Sequence, residues 1–166
     1  MPIKYALCAL IFSTCTAFAG NLDKPEGEVV LTVSGSISET NMGATAQFDR
    51  AMLDALGTVE VETSTIWTDG VHKFEGVEIA TLLRALGVTS GTLRATAVND
   101  YSIEIPVSEA AEGGPILASR RDGKEMSLRD KGPLWVIYPY DQNEDFRTEA
   151  VYSRSIWQLD RIEVVN

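Results

Sequence analysis

Cysteine and histidine are almost absent from this 166-residue sequence. Its two cysteines, Cys8 and Cys15, both lie in an N-terminal segment that we expect to be removed, which would leave a chain without any thiol. Such a chain forms no disulfide and offers neither a cysteine nucleophile nor a thiolate metal ligand. The single histidine, His72, falls in a predicted polar loop, where a solvated side chain is a better interpretation than a metal ligand.

Catalytic motifs are missing as well. The sequence has no serine in a G-x-S-x-G setting and no glycine-rich phosphate loop between a strand and a helix. The acidic pair Glu60 and Glu62 alternates onto one face of a predicted strand, which is typical of a solvated surface. The sequence therefore predicts no catalytic and no metal-ligating residue, and it weighs against ordinary hydrolysis.

Positive charge is scarce, since 14 Lys and Arg face 24 Asp and Glu for a formal net charge of -10. Nucleic acids and anionic membrane surfaces both require clustered positive charge, so neither is an expected partner. The remaining composition, with 45% hydrophobic and 23% charged residues, is that of a globular chain. The length is sufficient for one domain with its own core.

The N-terminus has the pattern of a secretory signal peptide. Lys4 precedes an apolar run over residues 5–19, which ends in the small-x-small sequence Ala17-Phe18-Ala19. The run is too short and too rich in serine and threonine for a typical membrane span, although a retained anchor is the alternative. We expect a signal peptide over residues 1–19, a single domain over residues 20–166, and a periplasmic protein.

The residue patterns predict an α+β domain with many short strands and a few short helices. Turn signals are expected at Asp69-Gly70 and Glu75-Gly76. Extended segments are predicted over residues 28–34, 58–66, 134–138, 152–157 and 161–165, with hairpins over 92–105 and 116–128. Helices are predicted over residues 45–56, with Thr45 as N-cap, 78–86 and 108–112.

Aromatic side chains, hydroxyls and arginine are concentrated near predicted strand ends. Trp67 follows a strand, residues 138–141 read Tyr-Pro-Tyr-Asp, and residues 152–157 read Tyr-Ser-Arg-Ser-Ile-Trp. Aromatic faces stack flat heterocycles, while arginine and serine bind polar edges, so the combination suits a planar polar ligand. Trp135 lies inside an apolar run and is better interpreted as a core residue.

Five blocks, in order, resemble the molybdopterin-binding domain of the sulfite oxidase superfamily. They lie at residues 67–83, 97–106, 116–126, 132–139 and 153–164, and the resemblance covers residues 58–165. It implies a mixed α+β fold around a pterin cofactor. In catalytic members a cysteine before the tryptophan-containing block coordinates molybdenum, but residues 62–67 contain none here. An arginine common in the G-x-P-x-R block of that superfamily is replaced by Trp135.

The combination is most similar to small exported members that bind free pterins, the PruR-type periplasmic proteins. This resemblance implies a non-catalytic sensor with a reduced, non-metallated pterin as ligand, rather than a molybdenum cofactor. It also implies a partner, the periplasmic domain of an inner-membrane enzyme of cyclic di-GMP metabolism, and a role in biofilm regulation. The alternatives are a molybdenum-cofactor-dependent oxidoreductase and a ligand-free periplasmic adaptor.

Under this hypothesis, Trp67 and either Tyr138 or Trp157 stack the pterin ring. Asp100 or Asp141 accepts hydrogen bonds from its 2-amino and N3 groups, because desolvated donors need an acceptor. Arg154 holds an oxygen of the ligand together with the neighbouring serines. The complete predicted pterin-binding set is Trp67, Asn99, Asp100, Tyr101, Tyr138, Asp141, Tyr152, Ser153, Arg154, Ser155 and Trp157.

Overall fold

The computed structural model describes residues 22–166, so the predicted signal peptide lies outside the described residues. The strands and helices are β1 (Val29–Gly35), β2 (Ala46–Asp49), α1 (Arg50–Ala55), β3 (Thr58–Thr65), β4 (Thr68–Glu78), α2 (Ile79–Ala85), β5 (Thr92–Ala97), β6 (Ser102–Pro106), β7 (Ile116–Arg121), β8 (Lys124–Glu125), β9 (Trp135–Ile137), α3 (Glu149–Arg154) and β10 (Leu159–Val165). None of the helices in this part of the chain has the length and hydropathy of a membrane-crossing segment.

The strands form two sheets. One has the order β2-β1-β10-β5-β6, and the other has the order β3-β4-β7-β8, with β9 also paired to β7. Neighbouring strands are antiparallel except for β1 and β10, which run parallel with Ser34 opposite Glu163. Residues from both sheets, among them Leu31, Phe74 and Trp135, belong to one buried hydrophobic cluster. The predicted α+β class, with many short strands and few short helices, is confirmed.

The prediction of one helix over residues 45–56 is wrong in its first half. Residues 46–49 form β2, which pairs with β1, and the helix begins only at Arg50. Its N-cap is Asp49 rather than Thr45, because the Asp49 carboxylate accepts a hydrogen bond from the Met52 backbone N–H at 2.9 Å. Phe48, which falls inside the predicted helix, is a buried residue of strand β2.

The expected turns at Asp69-Gly70 and Glu75-Gly76 are absent, since β4 runs through both positions. Gly76 has a packing role instead. A Cβ atom at this position would overlap the carbonyl oxygen of Leu117 in the neighbouring strand β7. Glycine is therefore required here by the close approach of two backbones, and not by a turn.

His72 is also placed differently from the prediction. It lies in strand β4 rather than in a loop, and its side chain is only 25% exposed. Its Nδ1 atom is 2.7 Å from Oδ2 of Asp122, and its Nε2 atom is 3.0 Å from the carbonyl oxygen of Asp69. The hydrogen bond from His72 is the main cause that lowers the pKa of Asp122.

The segment 152–157, predicted as extended, begins within a helix. The hydroxyl of Thr148 accepts a hydrogen bond from the Val151 backbone N–H at 3.3 Å and caps helix α3. The helix ends at Arg154, and the last strand begins at Leu159. The expected helix over 108–112 is only a 3₁₀ turn, Val107–Glu109. Strands β1, β3 and β9, helix α2 and both hairpins lie close to their predicted positions.

Two carboxylates near helix α1 have lowered pKa values. Asp49 accepts hydrogen bonds from the backbone N–H groups of Gly27 and Met52, of which the Gly27 bond lowers its pKa the most. The pKa of Asp54 is lowered mainly by its hydrogen bonds to the guanidinium of Arg120. A carboxyl whose pKa is lower in the folded than in the unfolded chain loses its stabilising effect as the pH falls.

The lowered pKa values predict acid sensitivity. We expect the urea midpoint of unfolding to stay constant between about pH 7 and 5 and to fall below about pH 4, where the unfolded carboxyls bind protons first. Urea titrations at a series of pH values measure this. The variant Asp54→Asn should have a lower midpoint at pH 7 and a shallower acid decline. A midpoint that rises on acidification would contradict the prediction.

Candidate functional site

Trp67 is the centre of a cluster of aromatic rings. It occupies the turn between β3 and β4, and its ring centroid lies 5.9 Å from that of Trp135 and 5.8 Å from that of Trp157. The ring centroids of Tyr140 and Tyr152 lie 6.5 and 5.9 Å from that of Trp67. All four contacts are edge-to-face, the geometry that aromatic quadrupoles favour. The hairpin tip is therefore held against the body of the domain by its indole.

A cavity of about 360 Å³ opens beside this cluster. Its walls come from the β3–β4 turn, the β5–β6 turn, and the end of α3 with the segment that follows it. We call it the aromatic cavity. Seven residues of the predicted set line it: Trp67, Asn99, Tyr101, Tyr152, Ser153, Ser155 and Trp157. Three elements that are distant in the sequence thus bring most of the predicted site together.

The aromatic cavity is also lined by three residues that are not in the predicted set: Ala97, Ile156 and Gln158. Gln158 has a positive φ of 53° and follows directly after Trp157. Its backbone N–H donates to the carbonyl of Lys131, and its own carbonyl accepts from Val98. Sequence patterns give no signal for a glutamine in this conformation, because the long-range backbone bonds impose it.

Lys131 lies over Trp157. Its Nζ atom is 4.2 Å from the centroid of the Trp157 ring and 5.4 Å from that of Trp135. A cation at this distance is attracted to the indole face. This contact helps to fix the orientation of Trp157, whose side chain also forms part of the cavity wall.

Ser155 organises the floor of the aromatic cavity. Its hydroxyl lies 2.6 Å from the hydroxyl of Tyr140 and donates to the carbonyl oxygen of Val151 at 3.0 Å. The carbonyl oxygen of Ser155 accepts a hydrogen bond from the Trp135 indole N–H at 3.1 Å. Burial raises the pKa of Tyr140 to about 12, so its hydroxyl remains protonated and can donate.

The lining of the aromatic cavity contains no aspartate, glutamate, histidine, lysine or arginine. Asn99 and Gln158 contribute amides, which provide both donors and acceptors, and Tyr101 and Tyr152 contribute phenols. The Asn99 side chain uses its carbonyl oxygen to accept from the Tyr101 backbone N–H at 3.2 Å. The lining therefore suits a flat, neutral ligand with donors and acceptors on its edge.

Both predicted carboxylate partners lie outside the cavity lining. Asp100 forms an ion pair with Arg161 at 2.8 Å, and its side chain is 83% exposed. Asp141 accepts from the backbone N–H of Ser64 at 2.6 Å and from Arg147 at 2.7 Å. The Ser64 bonds are the main cause that lowers the pKa of Asp141. Both carboxylates are thus satisfied by partners within the protein.

Arg154 and Tyr138 also lie outside the lining. The Arg154 guanidinium pairs with Glu109 at 2.5 Å, since the last turn of α3 directs it toward the 3₁₀ turn after β6. Tyr138 is 1% exposed and packs against Tyr140 and Phe146. It is a core residue here and offers no free face for stacking. Trp135 is fully buried, which confirms its predicted place in the core.

Removal of the Tyr138 hydroxyl and removal of the Tyr140 hydroxyl should have different effects on stability. Within residues 22–166, the Tyr138 hydroxyl is buried without a hydrogen-bond partner, whereas that of Tyr140 is bonded to Ser155. Tyr140→Phe should therefore lower the free energy of unfolding by about 1–2 kcal/mol, while Tyr138→Phe should leave it unchanged or raise it. Urea unfolding of both variants measures the difference. Equal losses would contradict it.

No family model matches the chain, and a search of curated proteins gives no match. Comparison with solved structures agrees with the architecture described above. Among solved structures, the chain is similar to the sulfane dehydrogenase SoxCD from Paracoccus pantotrophus, with a TM-score of 0.55 and 13% sequence identity. The similarity covers 81% of this chain and 37% of the SoxCD chain. This chain therefore spans little more than a third of the length of the SoxCD chain. The fold class predicted from the sequence, a mixed α+β fold of the sulfite oxidase type, is therefore confirmed, and the similarity concerns the fold alone.

Proposed function

We propose that the protein binds one reduced pterin, without a metal, in the aromatic cavity and acts as a non-catalytic sensor. The observation that carries this proposal is the composition of the lining. It combines the rings of Trp67, Tyr152 and Trp157 with the amides of Asn99 and Gln158 and contains no charged side chain. Aromatic walls bind planar heterocycles, and amides bind their polar edges.

The chemistry of a pterin matches these groups. Its ring system is flat and carries donors at the 2-amino and N3 positions and an acceptor at the 4-oxo position. The Gln158 amide supplies an oxygen acceptor, since its nitrogen donates to the carbonyl of Leu128 at 2.8 Å. The Asn99 amide supplies N–H donors, since its oxygen already accepts from the Tyr101 backbone N–H. The Gln158 oxygen takes the place of the carboxylate acceptor expected from the sequence. The cavity volume of about 360 Å³ lies at the lower end of the range for small-molecule sites, which favours a bicyclic ligand.

A molybdenum-bearing cofactor fits the described residues poorly. Residues 22–166 contain no cysteine, and within them no group of three or more histidine, cysteine, aspartate or glutamate side chains is arranged to hold a metal. The cavity lining also lacks a lysine or arginine that could bind a phosphate. The soft ligand and the cationic contact that such a cofactor needs are both missing, so a free pterin is the better match.

The signalling role is the second part of the proposal and rests on the resemblance. The exported protein would report pterin status to the periplasmic domain of an inner-membrane enzyme that makes or degrades cyclic di-GMP, and so act on biofilm formation. The absence of a nucleophile, base and orienting group among the cavity residues supports a binding role over catalysis.

Analysis of bound material tests the ligand. Protein from the exported fraction, purified without added ligand, is denatured and examined by mass spectrometry for pterins and by elemental analysis for molybdenum. We expect about one pterin per chain and no molybdenum. Molybdenum together with a pyranopterin would overturn the proposal and restore the oxidoreductase. If no pterin is found and added dihydropterin also fails to bind, a ligand-free adaptor is the remaining function.

Calorimetric titration with dihydropterin tests the site itself. Asn99→Ala should weaken the affinity about tenfold, because the ligand edge loses a hydrogen-bonding partner worth about 1–1.5 kcal/mol. The matched control is Asn166→Ala, an exposed asparagine outside the cavity lining, which should leave the affinity unchanged. Equal affinities for the wild type and Asn99→Ala would remove Asn99 from the site.

A further inference from the structure

A second concavity lies outside the aromatic cavity. It has a volume of about 710 Å³ and is lined by the chain before and at the start of β1, the start of α1, and the segment after β8. We call it the acidic groove. It shares no lining residue with the aromatic cavity, since Val98 lines the groove while its neighbours Ala97 and Asn99 line the cavity. Nothing in the proposed ligand site accounts for it.

The floor of the acidic groove is apolar and exposed. Of the eight large hydrophobic side chains that are exposed within residues 22–166, three line this one groove. They are Val29, Val98 and Leu128, which are 40%, 41% and 55% exposed. Single exposed hydrophobics need no explanation, but several that converge in one depression mark a surface that another molecule covers.

The groove also carries negative charge. Its lining includes five carboxylates, Glu26, Glu28, Asp49, Glu125 and Asp160, and a single guanidinium, that of Arg50. Asp49 is buried and satisfied by backbone N–H groups, and Glu125 pairs with Arg50 at 3.4 Å.

Glu26 and Glu28 differ from these two carboxylates. Both are exposed, and neither forms an ion pair with any residue in the described part of the chain. Both line the groove, and Glu28 directly precedes Val29 in the chain. The groove therefore combines exposed apolar side chains with two exposed carboxylates that have no ion-pair partner among the described residues.

From this combination we infer that the acidic groove docks a basic, apolar segment of a partner protein, with lysine or arginine flanking aliphatic side chains. The aliphatic side chains cover Val29, Val98 and Leu128, and the cations meet Glu26 and Glu28. Charge complementarity selects this occupant, because opposite potentials steer and orient a partner. A second copy of this chain is disfavoured by its own net charge of -10. The inference does not depend on the proposed pterin.

Peptide binding tests the inference. The probe is a labelled seven-residue peptide in which lysine and valine alternate, and its counterpart has glutamate in place of lysine. Fluorescence anisotropy with the full exported chain should give a dissociation constant of about 10–100 μM for the lysine peptide, typical of a weak interface, and no binding of the glutamate peptide. Absence of binding by the lysine peptide would overturn the inference.

Matched variants separate docking from general charge attraction. The double change Glu26→Gln/Glu28→Gln and the single change Leu128→Ser should each weaken peptide binding at least fivefold. The control Glu62→Gln/Glu144→Gln alters net charge equally at two exposed glutamates outside the groove and should change the affinity less than twofold.

Equal losses in the two double variants would mean non-specific attraction and overturn the inference. Sedimentation equilibrium of the wild type should show a monomer, and a dimer that Leu128→Ser disrupts would assign the groove to a second copy instead. Pterin affinity, measured on the same variants, should not change. Loss of peptide binding and loss of pterin binding are therefore distinguishable failures.

Discussion

Trp67→Ala is expected to abolish most of the pterin affinity. The variant removes the ring that lines the aromatic cavity and meets four other aromatic side chains edge-to-face. Stacking of a heterocycle on an aromatic side chain is worth about 1–3 kcal/mol, and loss of the ring also opens the cavity to water. We expect the dissociation constant for dihydropterin to rise at least about 30-fold, which corresponds to about 2 kcal/mol. Isothermal titration calorimetry measures it.

The same change should destabilise the fold, because Trp67 packs against the buried cluster. A loss of about 3 kcal/mol in the free energy of unfolding is expected. Phe146→Ala is the matched control. Phe146 is also partly buried, and its ring centroid lies 5.5 Å from that of Tyr138. Because Phe146 does not line the cavity, loss of its ring should lower stability without lowering pterin affinity. If both variants weaken pterin binding equally, the effect is one of general destabilisation and Trp67 is not a ligand contact.

Gly76→Ala is expected to destabilise the fold strongly. The added Cβ would overlap the carbonyl oxygen of Leu117 and the Cα of Ala118, both backbone atoms of the neighbouring strand. Backbone atoms have no alternative rotamer, so strands β4 and β7 would have to separate where they pair. We expect a loss of at least about 3 kcal/mol, at the upper end of overpacking effects. Chemical unfolding, or the soluble yield if the variant does not fold, measures it.

Gly70→Ala in the same strand provides the control. Gly70 has a φ of +76°, but an added Cβ would meet no atom within 4 Å. Only the backbone strain of a left-handed alanine remains, which costs about 1–2 kcal/mol. Gly76→Ala should therefore be the more destabilised variant. The reverse order would show that conformation, and not the contact with β7, determines which glycines the strand requires.

Much of the fold could be predicted because its signals are local. Helix α2 ends before Gly87, and the hairpin turns near Asp100 and Asp122 carry residues that tolerate positive φ. The predictions were wrong where tertiary contacts determine the local conformation. Residues 46–49 have helical spacing, yet pairing with β1 makes them a strand. Gly76 resembles a turn signal, but its role depends on a strand about forty residues further along the chain.

The candidate site was predictable in its residue types and less so in its geometry. Residue types that bind flat ligands identified Trp67, Tyr152 and Trp157, which line one cavity. The charged members of the predicted set did not join them. Asp100 and Arg154 have ion-pair partners about sixty and forty-five residues away, which no local pattern reveals. The position of a charged side chain depends on its ion-pair partner, which can lie far away in the chain. Local sequence patterns do not identify that partner.

The grouping of the indoles has a consequence for optical measurements. The chain has three tryptophans, and their ring centroids lie within 6.3 Å of one another. Trp67 and Trp157 line the aromatic cavity, and Trp135 is buried in contact with both. Indoles so close exchange excitation energy and couple their transition dipoles. The tryptophan contributions to the near-ultraviolet circular dichroism and to the intrinsic fluorescence therefore originate from this one place. The molecule carries its own spectroscopic reporter, and the arrival of any chromophore in the cavity can be followed without a label.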